Sequence, residues 1–277
     1  MPCRGRHGDA SPRRASALLA LAVAVAPACA GAASATAPEA ALPEVRALVF
    51  ASDEWCPYVC FESTREGFLV DLVRALYESP GRPVEVRRMS WERAITEAEA
   101  GRVDGVLGAA PGESRRLVYP TRAAAADPVA FALRRDDPWT FEGPATLAQR
   151  RIGVAEGYRF GPPFDAVLFP AGRPGPGVEP VDTHNPTRTN LQKLVDGRVD
   201  SVLDNGHVLR HEIERGGYAH AVRVVDTGAE QPLYLAFPAT PLGRTMARHF
   251  DQQLGSAPGR RALSGLAREY GPMAAAP

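Results

Sequence analysis

The sequence predicts an α/β protein made of two similar α/β lobes that are joined by a two-strand hinge. The first observation is a repeat: the segment Gly-Arg-Val-Asp-Gly-Val-Leu at 101–107 returns as Gly-Arg-Val-Asp-Ser-Val-Leu at 197–203. Each copy follows an amphipathic run and ends in a short apolar stretch, which indicates a helix that ends at glycine, a turn and a buried strand. The second observation is the alternation of strand and helix patterns along the chain, which favours parallel sheets. A single repetition about a hundred residues apart indicates two equivalent lobes and not a solenoid.

The first 37 residues predict a secretory signal peptide. A basic start precedes the apolar run Ala15–Ala26, and small residues follow it, so cleavage is expected after Ala30, Ala35 or Ala37. The apolar run is too short to span a bilayer. We therefore expect a periplasmic protein.

Composition narrows the function classes of the mature chain. The chain carries 32 basic and 32 acidic residues, so net charge gives no reason to expect nucleic acid or an anionic membrane as a partner. Cys56 and Cys60 remain after export and are expected to form a disulfide. No cofactor or metal site is expected: His207 and His211 have zinc spacing on a helix, but no third ligand is evident, and surface histidines are the commoner explanation.

Lobe one is predicted to comprise residues 43–134 and 235–277. Its first helix carries apolar residues at i, i+3, i+4 and i+7 from Leu69, and Ser90 is a good N-cap for the second helix, which starts with Trp91. The predicted elements are strand 48–52, helix 69–76, strand 84–89, helix 91–98, strand 104–109 and the C-terminal helices 242–254 and 263–270.

Lobe two is predicted to comprise residues 135–234, after a boundary at Asp136-Asp137-Pro138. Two apolar strand-like segments, 129–133 and 233–237, flank this second series. If both run between the lobes, they form the two-strand hinge. The predicted elements of lobe two are strands 151–155, 178–183, 200–203 and 222–225 and helices around 191–195 and 208–213.

Four motifs of lobe one, taken together, resemble a known family. They are Trp55-Cys56-Pro57-Tyr58, Gly67-Phe68-Leu69-Val70-Asp71-Leu72, Trp91 and Gly101-Arg102-Val103-Asp104. Their order and spacing are similar to those of the extracytoplasmic solute-binding proteins of polar-amino-acid ABC transporters, which have the type II periplasmic-binding fold. The resemblance covers about residues 48–270. It implies a protein that traps a small polar solute between two lobes and delivers it to a membrane permease; we expect a monomer.

The resemblance also implies where the ligand is held. Arg116, with Arg115 beside it, falls at the family's arginine that binds the α-carboxylate, a task suited to guanidinium. The threonine that usually precedes it is Glu113 here. The aspartate that binds the α-ammonium aligns with Asn205, next to Asp204, and an amide is a weaker partner for a cation. The ligand is therefore expected not to be a standard α-amino acid.

The remaining candidates follow from their places on the predicted strands. Trp55 and Tyr58 lie on a loop at the carboxyl end of a strand, where α/β sheets bind ligands, although they could instead pack beneath that loop. Trp91 could contact ligand or anchor the core. Glu156 and Tyr158 lie on the corresponding loop of lobe two. The complete predicted ligand site is Trp55, Tyr58, Trp91, Arg115, Arg116, Glu156, Tyr158, Asp204 and Asn205.

Two rival functions fit the same fold. The first is a periplasmic, dehydratase-like enzyme in which Glu113 or Glu156 acts as acid or base in a dry cleft. The second is a ligand-sensing module whose partner is a sensor protein and not a transporter. We expect no enzyme activity, and the sequence leaves the identity of the ligand open.

Overall fold

Strands and helices alternate through the computed structural model, which describes residues 42, 46–271 and 273. The predicted signal peptide lies outside the described residues. The strands are β1 (Leu48–Ser52), β2 (Val84–Arg88), β3 (Gly105–Ala109), β4 (Leu117–Val118), β5 (Ala125–Arg134), β6 (Ile152–Ala155), β7 (Val178–Val181), β8 (Ser201–Asn205) and β9 (Val222–Pro238). The helices are α1 (Phe68–Tyr77), α2 (Trp91–Glu99), α3 (Pro162–Leu168), α4 (Pro186–Val195), α5 (Gly206–Arg215), α6 (Pro241–Gly255) and α7 (Ala257–Tyr270).

The order of the strands confirms the two similar lobes. The strands follow one another as β2-β1-β3-β9-β5-β8-β6-β7, with β4 paired to β9. In the first half, β1 lies parallel to β2 and β3, and β9 pairs antiparallel with β3. In the second half, β6 lies parallel to β7 and β8, and β5 pairs antiparallel with β8. Each lobe thus has three parallel strands and one antiparallel strand that comes from the hinge.

The repeated segment performs the same structural task in each lobe. Gly101 and Gly197 both adopt left-handed backbone angles, with φ of 69° and 72°, directly after α2 and α4. The Asp104 carboxylate accepts from the Val49 N–H at 2.9 Å, and the Asp200 carboxylate accepts from the Arg151 N–H at 3.0 Å. Each aspartate therefore ties the third strand of its lobe to the first. This explains why the sequence repeats both the glycine and the aspartate.

The lobes are connected by a paired segment of β5 and β9. Residues 125–128 of β5 pair antiparallel with residues 230–233 of β9. On one side of this segment Leu235 and Ala236 pair with β3, and on the other side Val129–Leu133 pairs with β8. The predicted hinge segments 129–133 and 233–237 thus lie just beyond the crossing, each already inside one lobe. The exact lobe boundaries stay a prediction.

Strand β9 corrects one prediction. The sequence indicated two separate strands, 222–225 and 233–237, with Pro232 as a border, but β9 is continuous from Val222 to Pro238. Proline lacks an N–H and is tolerated where the ladder needs none. Opposite Pro232, the Ala126 N–H donates to the Met273 carbonyl at 2.9 Å and not to β9. The strand therefore continues without losing a hydrogen bond at this pair.

Helix α1 holds the loop that follows β1. Its predicted apolar stripe is buried, and its first N–H groups reach that loop: Phe68 donates to the Pro57 carbonyl at 3.0 Å and Leu69 to the Tyr58 carbonyl at 2.9 Å. Gly67, with φ of 103°, allows this approach because a Cβ there would lie 2.5 Å from the Tyr58 oxygen. The motif at 67–72 thus fixes the aromatic loop against the core.

The shortest elements were not expected from the sequence. Helix α3 has seven residues, starts with two prolines and has no room for a helical stripe, and β4 has two residues. Such elements are set by contacts with the rest of the fold, because their own periodicity is too brief to indicate them. Both lie outside the repeated αβ units.

Candidate ligand-binding site between the lobes

The loop after β1 brings two aromatic side chains to the cleft between the lobes. Cys56 and Cys60 form the expected disulfide, with a Cα–Cα distance of 4.7 Å. Trp55 and Tyr58 are both buried, and their rings stack with centroids 4.7 Å apart. The two rings pack on one another, and Trp55 also lines the cavity between the lobes. Contact of either ring with a ligand stays a prediction.

Lobe two presents Tyr158, Asp204 and Asn205 on the opposite side of the cleft. Tyr158 follows β6, and the other two residues end β8, so the carboxyl ends of both strands face the same gap. The Asn205 side-chain oxygen caps α5 by accepting from the N–H groups of His207 and Val208. Capping fixes the amide, so that its nitrogen points towards lobe one.

Side chains from the two lobes form hydrogen bonds across the cleft. The Tyr158 hydroxyl donates to the Asp53 carboxylate at 2.8 Å, and the Trp55 indole donates to the Asp204 carboxylate at 3.4 Å. The Asn205 amide donates to the Tyr58 hydroxyl at 3.3 Å. These polar groups are buried by contact between the lobes, so this is a closed arrangement of the cleft.

Three buried aspartates meet in this region from distant parts of the sequence. Asp53 follows β1, Asp127 lies in the hinge strand β5 and Asp204 is in β8; they are 1, 5 and 2% exposed. Asp127 accepts from the Asn205 amide at 2.8 Å and from the Gln231 amide at 2.9 Å. Asp204 also accepts from the Thr187 hydroxyl and from the Asn205 N–H. The site is rich in acceptors for hydrogen bonds.

Burial dominates the ionisation of these acids. Loss of water raises the pKa of Asp53 to about 8, of Asp127 to about 7 and of Asp204 to about 6, and Asp204 adds a repulsive contribution to both of the others. Hydrogen bonds to each carboxylate oppose the rise without cancelling it. Near neutral pH, the closed cleft therefore holds protons that exposed aspartates would have released.

Glu113 adds a fourth acid at the same cavity. Its carboxylate accepts from the backbone N–H groups of Ala110 at 2.8 Å and Arg159 at 3.2 Å. Burial raises its pKa well above the ordinary value of a glutamate. The Arg159 guanidinium opposes this rise, but it donates to the Tyr158 carbonyl at 2.7 Å and lies over the Phe169 ring at 4.6 Å. Glu113 thus lies at the cavity together with Asp53 and Asp127.

The closed cleft encloses a small cavity. Its volume is about 10 Å³, room for about one water molecule. Trp55, Trp91, Tyr158, Asp53, Asp127 and Glu113 contribute to its lining. Trp91 is 4% exposed, and its indole N–H has no hydrogen-bond partner among the described residues. A buried donor without a partner is uncommon and calls for an explanation.

Of the nine predicted site residues, three line this cavity and three more, Tyr58, Asp204 and Asn205, belong to the hydrogen bonds across the cleft. The other three lie away from both. Arg115 is exposed, and Arg116 is paired with Glu99 at 2.9 Å with 75% of its side chain exposed. Glu156 is partly buried, and its N–H donates to the Val181 carbonyl in the strand pair of lobe two. In this arrangement neither Arg115 nor Arg116 lines the cavity, whereas Arg159 does. The proposed contact of Arg115, Arg116 and Glu156 with ligand stays a prediction that this geometry does not support.

Asp53 and Asp127 were not among the site residues predicted from the sequence. Each had a recognisable signal: Asp53 directly follows a predicted strand, and Asp127 interrupts the apolar run 123–133. A charged residue within such a run needs a reason, because an unpaired buried carboxylate is costly. The position of Asp127 at the cleft becomes evident only in the structure, where β5 crosses between the lobes.

The rim of the cleft carries a second, ionic contact between the lobes. Glu62 of lobe one pairs with Arg88 of its own lobe at 3.0 Å and with Arg188 and Arg215 of lobe two at 3.1 and 2.9 Å. These arginines lower the pKa of Glu62. The network joins the loop after the disulfide to helices α4 and α5, so it stabilises the closed arrangement.

Comparison with known proteins follows the architecture. Residues 48–212 match the model of the bacterial extracellular solute-binding proteins, family 3, and the chain belongs to that family. No match to a curated protein was found. In the described ranges, every helix is too short or too polar to cross a bilayer.

Solved structures share the fold at low sequence identity. A histidine kinase sensor domain with similarity to periplasmic binding proteins is 18% identical, with a TM-score of 0.68 over 84% of this chain and 99% of its own. The arginine-, lysine-, histidine-binding protein ArtJ from Geobacillus stearothermophilus is 14% identical, with a TM-score of 0.65 over 82% of this chain and 95% of its own. EhuB in complex with hydroxyectoine is 20% identical, with a TM-score of 0.67 over 81% of this chain and 88% of its own. The fold therefore occurs both in transport and in sensing.

Proposed function

We propose that this protein is exported to the periplasm, captures a small polar solute between its lobes and presents the closed form to a membrane partner. The observation that carries the proposal is the set of buried polar contacts across the cleft. Tyr158 reaches Asp53, and Trp55 reaches Asp204, each from the opposite lobe. A solute placed between these groups would contact both lobes only when they close.

Closure would then be driven by binding. A bound solute would make more favourable contacts with the buried carboxylates and aromatic rings in the closed form than in the open form. A ligand shifts the ratio of closed to open molecules only by such a difference in its binding free energy. The hinge allows this movement because, in the described part of the chain, the backbone passes between the lobes through the paired segment of residues 125–128 and 230–233.

The membrane partner would bind the closed form of the protein in preference to the open form. The family membership and the similarity to transporter-binding proteins support an ABC permease as the partner. The similarity to a histidine kinase sensor domain supports a sensor as the second candidate. We propose that the protein acts as a monomer, with the rim contact around Glu62 helping to present both lobes together.

The test is binding of small solutes by the protein without its predicted signal peptide. Amino acids, small carboxylates and organic cations are screened by thermal unfolding, and hits are examined by small-angle X-ray scattering for closure. A ligand at a hundred times its Kd stabilises the folded form by about 2.7 kcal/mol. This corresponds to a rise in Tm of roughly 5–10 °C for a chain of this size.

A matched pair of variants locates the site. Tyr158→Phe removes the hydroxyl that donates to Asp53, and we expect roughly fivefold weaker binding, because a hydrogen bond between uncharged groups is worth about 1 kcal/mol. Tyr218→Phe removes an exposed hydroxyl that donates to Gln192 on lobe two and leaves affinity unchanged. Unaltered binding in Tyr158→Phe would place the solute elsewhere, and failure of every solute to bind would reject the proposal.

A second candidate function is an enzyme, and Glu113 is the observation in its favour. Its partly buried carboxyl lines the cavity, and its pKa is raised, which suits a general acid at neutral pH. Incubation of each bound solute with the protein, followed by NMR, tests for turnover. Turnover that Glu113→Gln abolishes while binding persists would favour the enzyme.

A further inference from the structure

The cleft holds more acids than cations: Asp53, Asp127 and Glu113 line its cavity, and Arg159 is the one basic residue among the described residues that line it. Each donor that the described residues direct at Asp53, Asp127, Asp204 and Glu113 is an uncharged group: a tyrosine or threonine hydroxyl, an indole, a side-chain amide or a backbone N–H. The guanidinium of Arg159, which also lines the cavity, donates to the Tyr158 backbone carbonyl and to none of these carboxylates. Four acids near a single guanidinium oppose one another's ionisation. A positive charge placed among them would remove that opposition.

The walls of the cavity are suited to an organic cation. The Trp55 and Tyr158 rings pack edge to face with their centroids 6.2 Å apart. The Trp91 ring packs on the Tyr158 ring in the same way, with a centroid distance of 6.0 Å. Indole and phenol faces attract ammonium and guanidinium groups, most strongly where water is excluded. The described residues contain no group of three side chains placed to hold a metal ion. The aromatic lining therefore favours an organic cation over a metal ion.

Trp91 adds a requirement for the uncharged part of the ligand. Its indole N–H is buried and has no partner, and its Cδ1 lies 3.4 Å from the point where a Cβ on Gly157 of lobe two would lie. The nitrogen-bearing edge of the indole thus faces across the cleft. A hydrogen-bond acceptor on a bound molecule would satisfy this donor, whose burial is otherwise unfavourable.

We propose that the cleft recognises a small organic cation through its positive charge, and that the same molecule offers a hydrogen-bond acceptor to Trp91. The inference rests on the proposed function and names the ligand class of that site. A carboxylate on the ligand is not the main point of recognition. Arg115 and Arg116 are exposed outside the cavity, and the guanidinium of Arg159, which lines it, already contacts the Tyr158 carbonyl and the Phe169 ring. In this structure Tyr158 donates to Asp53 and Trp55 donates to Asp204. When the ligand binds, the lobes would separate slightly, and the ligand would replace these two donors at the carboxylates.

The test compares molecules that differ only in charge. Choline is paired with its uncharged isostere 3,3-dimethyl-1-butanol, and 4-guanidinobutanoate with its urea analogue 4-ureidobutanoate; glutarate serves as the anion. Affinity is measured by calorimetry and closure by small-angle scattering. We expect at least one cation to bind about a hundredfold more tightly than its isostere and to close the lobes.

Variants assign the effect to the acids. Asp127→Asn and Glu113→Gln each remove one charge at nearly constant shape, and either should weaken the cation at least tenfold; thermal unfolding confirms that each folds. Asp196→Asn, at the exposed end of α4, is the matched control and leaves affinity unchanged. Trp91→Phe replaces the indole by a smaller aromatic ring without an N–H donor, and it should weaken binding of the cation several-fold.

The outcomes separate this inference from the proposed function. An isostere or glutarate that binds and closes the lobes as well as the cations would overturn the cation inference and leave solute capture standing. The same follows if a cation binds equally to wild type, Asp127→Asn and Glu113→Gln. Failure of these probes and of the wider solute panel to bind or move the lobes would overturn both.

Discussion

Closure of the cleft without a cationic ligand should become less favourable as the pH rises from 5 to 8. In the closed form, burial raises the pKa of Asp127 to about 7, whereas in separated lobes water would return it towards 3.8. The closed form therefore binds more protons than the open form over this range. Rising pH favours the form that holds fewer protons, so it favours separated lobes. The sign is the same for unfolding: the free energy of unfolding falls as pH rises through this interval.

The magnitude follows from the two pKa values. With 3.8 in the open form and about 7 in the closed form, the linkage relation makes closure about 2.5 kcal/mol less favourable at pH 8 than at pH 5 from Asp127 alone. This is roughly a hundredfold change in the ratio of closed to open molecules. Asp53, with a pKa of about 8, changes the ratio in the same direction.

Small-angle scattering at the two pH values measures the effect directly. We expect the radius of gyration to increase from pH 5 to pH 8, and the increase to be smaller in Asp127→Asn, which has no charge to bury. Asp196→Asn should behave as the wild type. A radius of gyration that is constant, or that decreases with pH, would refute the claim that proton uptake by buried aspartates accompanies closure.

Three further changes have definite expected results. Glu62→Gln removes the rim contact and should weaken closure by about 1 kcal/mol, since partly exposed ion pairs are individually weak; calorimetry should record roughly fivefold weaker ligand binding. Replacement of Cys56 and Cys60 by serine should reduce the free energy of unfolding by about 2 kcal/mol or less, because the disulfide closes a short loop; urea titration measures this. Phe250→Ala removes a fully buried ring from lobe one and should reduce it by about 3–5 kcal/mol in the same titration.

Each of these changes has a control. Glu269→Gln removes an exposed pair with Arg65 outside the cleft rim and should leave ligand affinity as it is. Equal affinities for Glu62→Gln and wild type would show that the rim contact does not contribute to closure. For the disulfide, reduction of the wild type should reproduce the loss seen in the serine variant. For the core, a loss under 1 kcal/mol in Phe250→Ala would contradict the packing described.

Arg116 was predicted to bind the ligand because of the family resemblance, but its side chain lies elsewhere in the structure. Position along the chain places Arg116 after β3, as in the family, but the side chain pairs with Glu99 at 2.9 Å and remains largely exposed. A spacing rule predicts where a backbone position falls. It does not predict which partner an arginine with several rotatable bonds will choose, because that depends on the neighbouring charges.

The two-lobed architecture could be predicted from local patterns in the sequence. The repeated Gly-x-x-Asp segment, the helical stripe from Leu69 and the apolar strands depend on local periodicity and backbone preference, which can be read over a few residues. The close pair Cys56 and Cys60 likewise needed only proximity along the chain. The chemistry of the cleft could not be predicted in this way, because folding brings together Asp53, which follows β1, Asp127 of β5 and Asp204 of β8, which lie far apart in the sequence. Their burial, and hence their affinity for protons or for a cation, arises from contact between two lobes, and no local pattern encodes that contact.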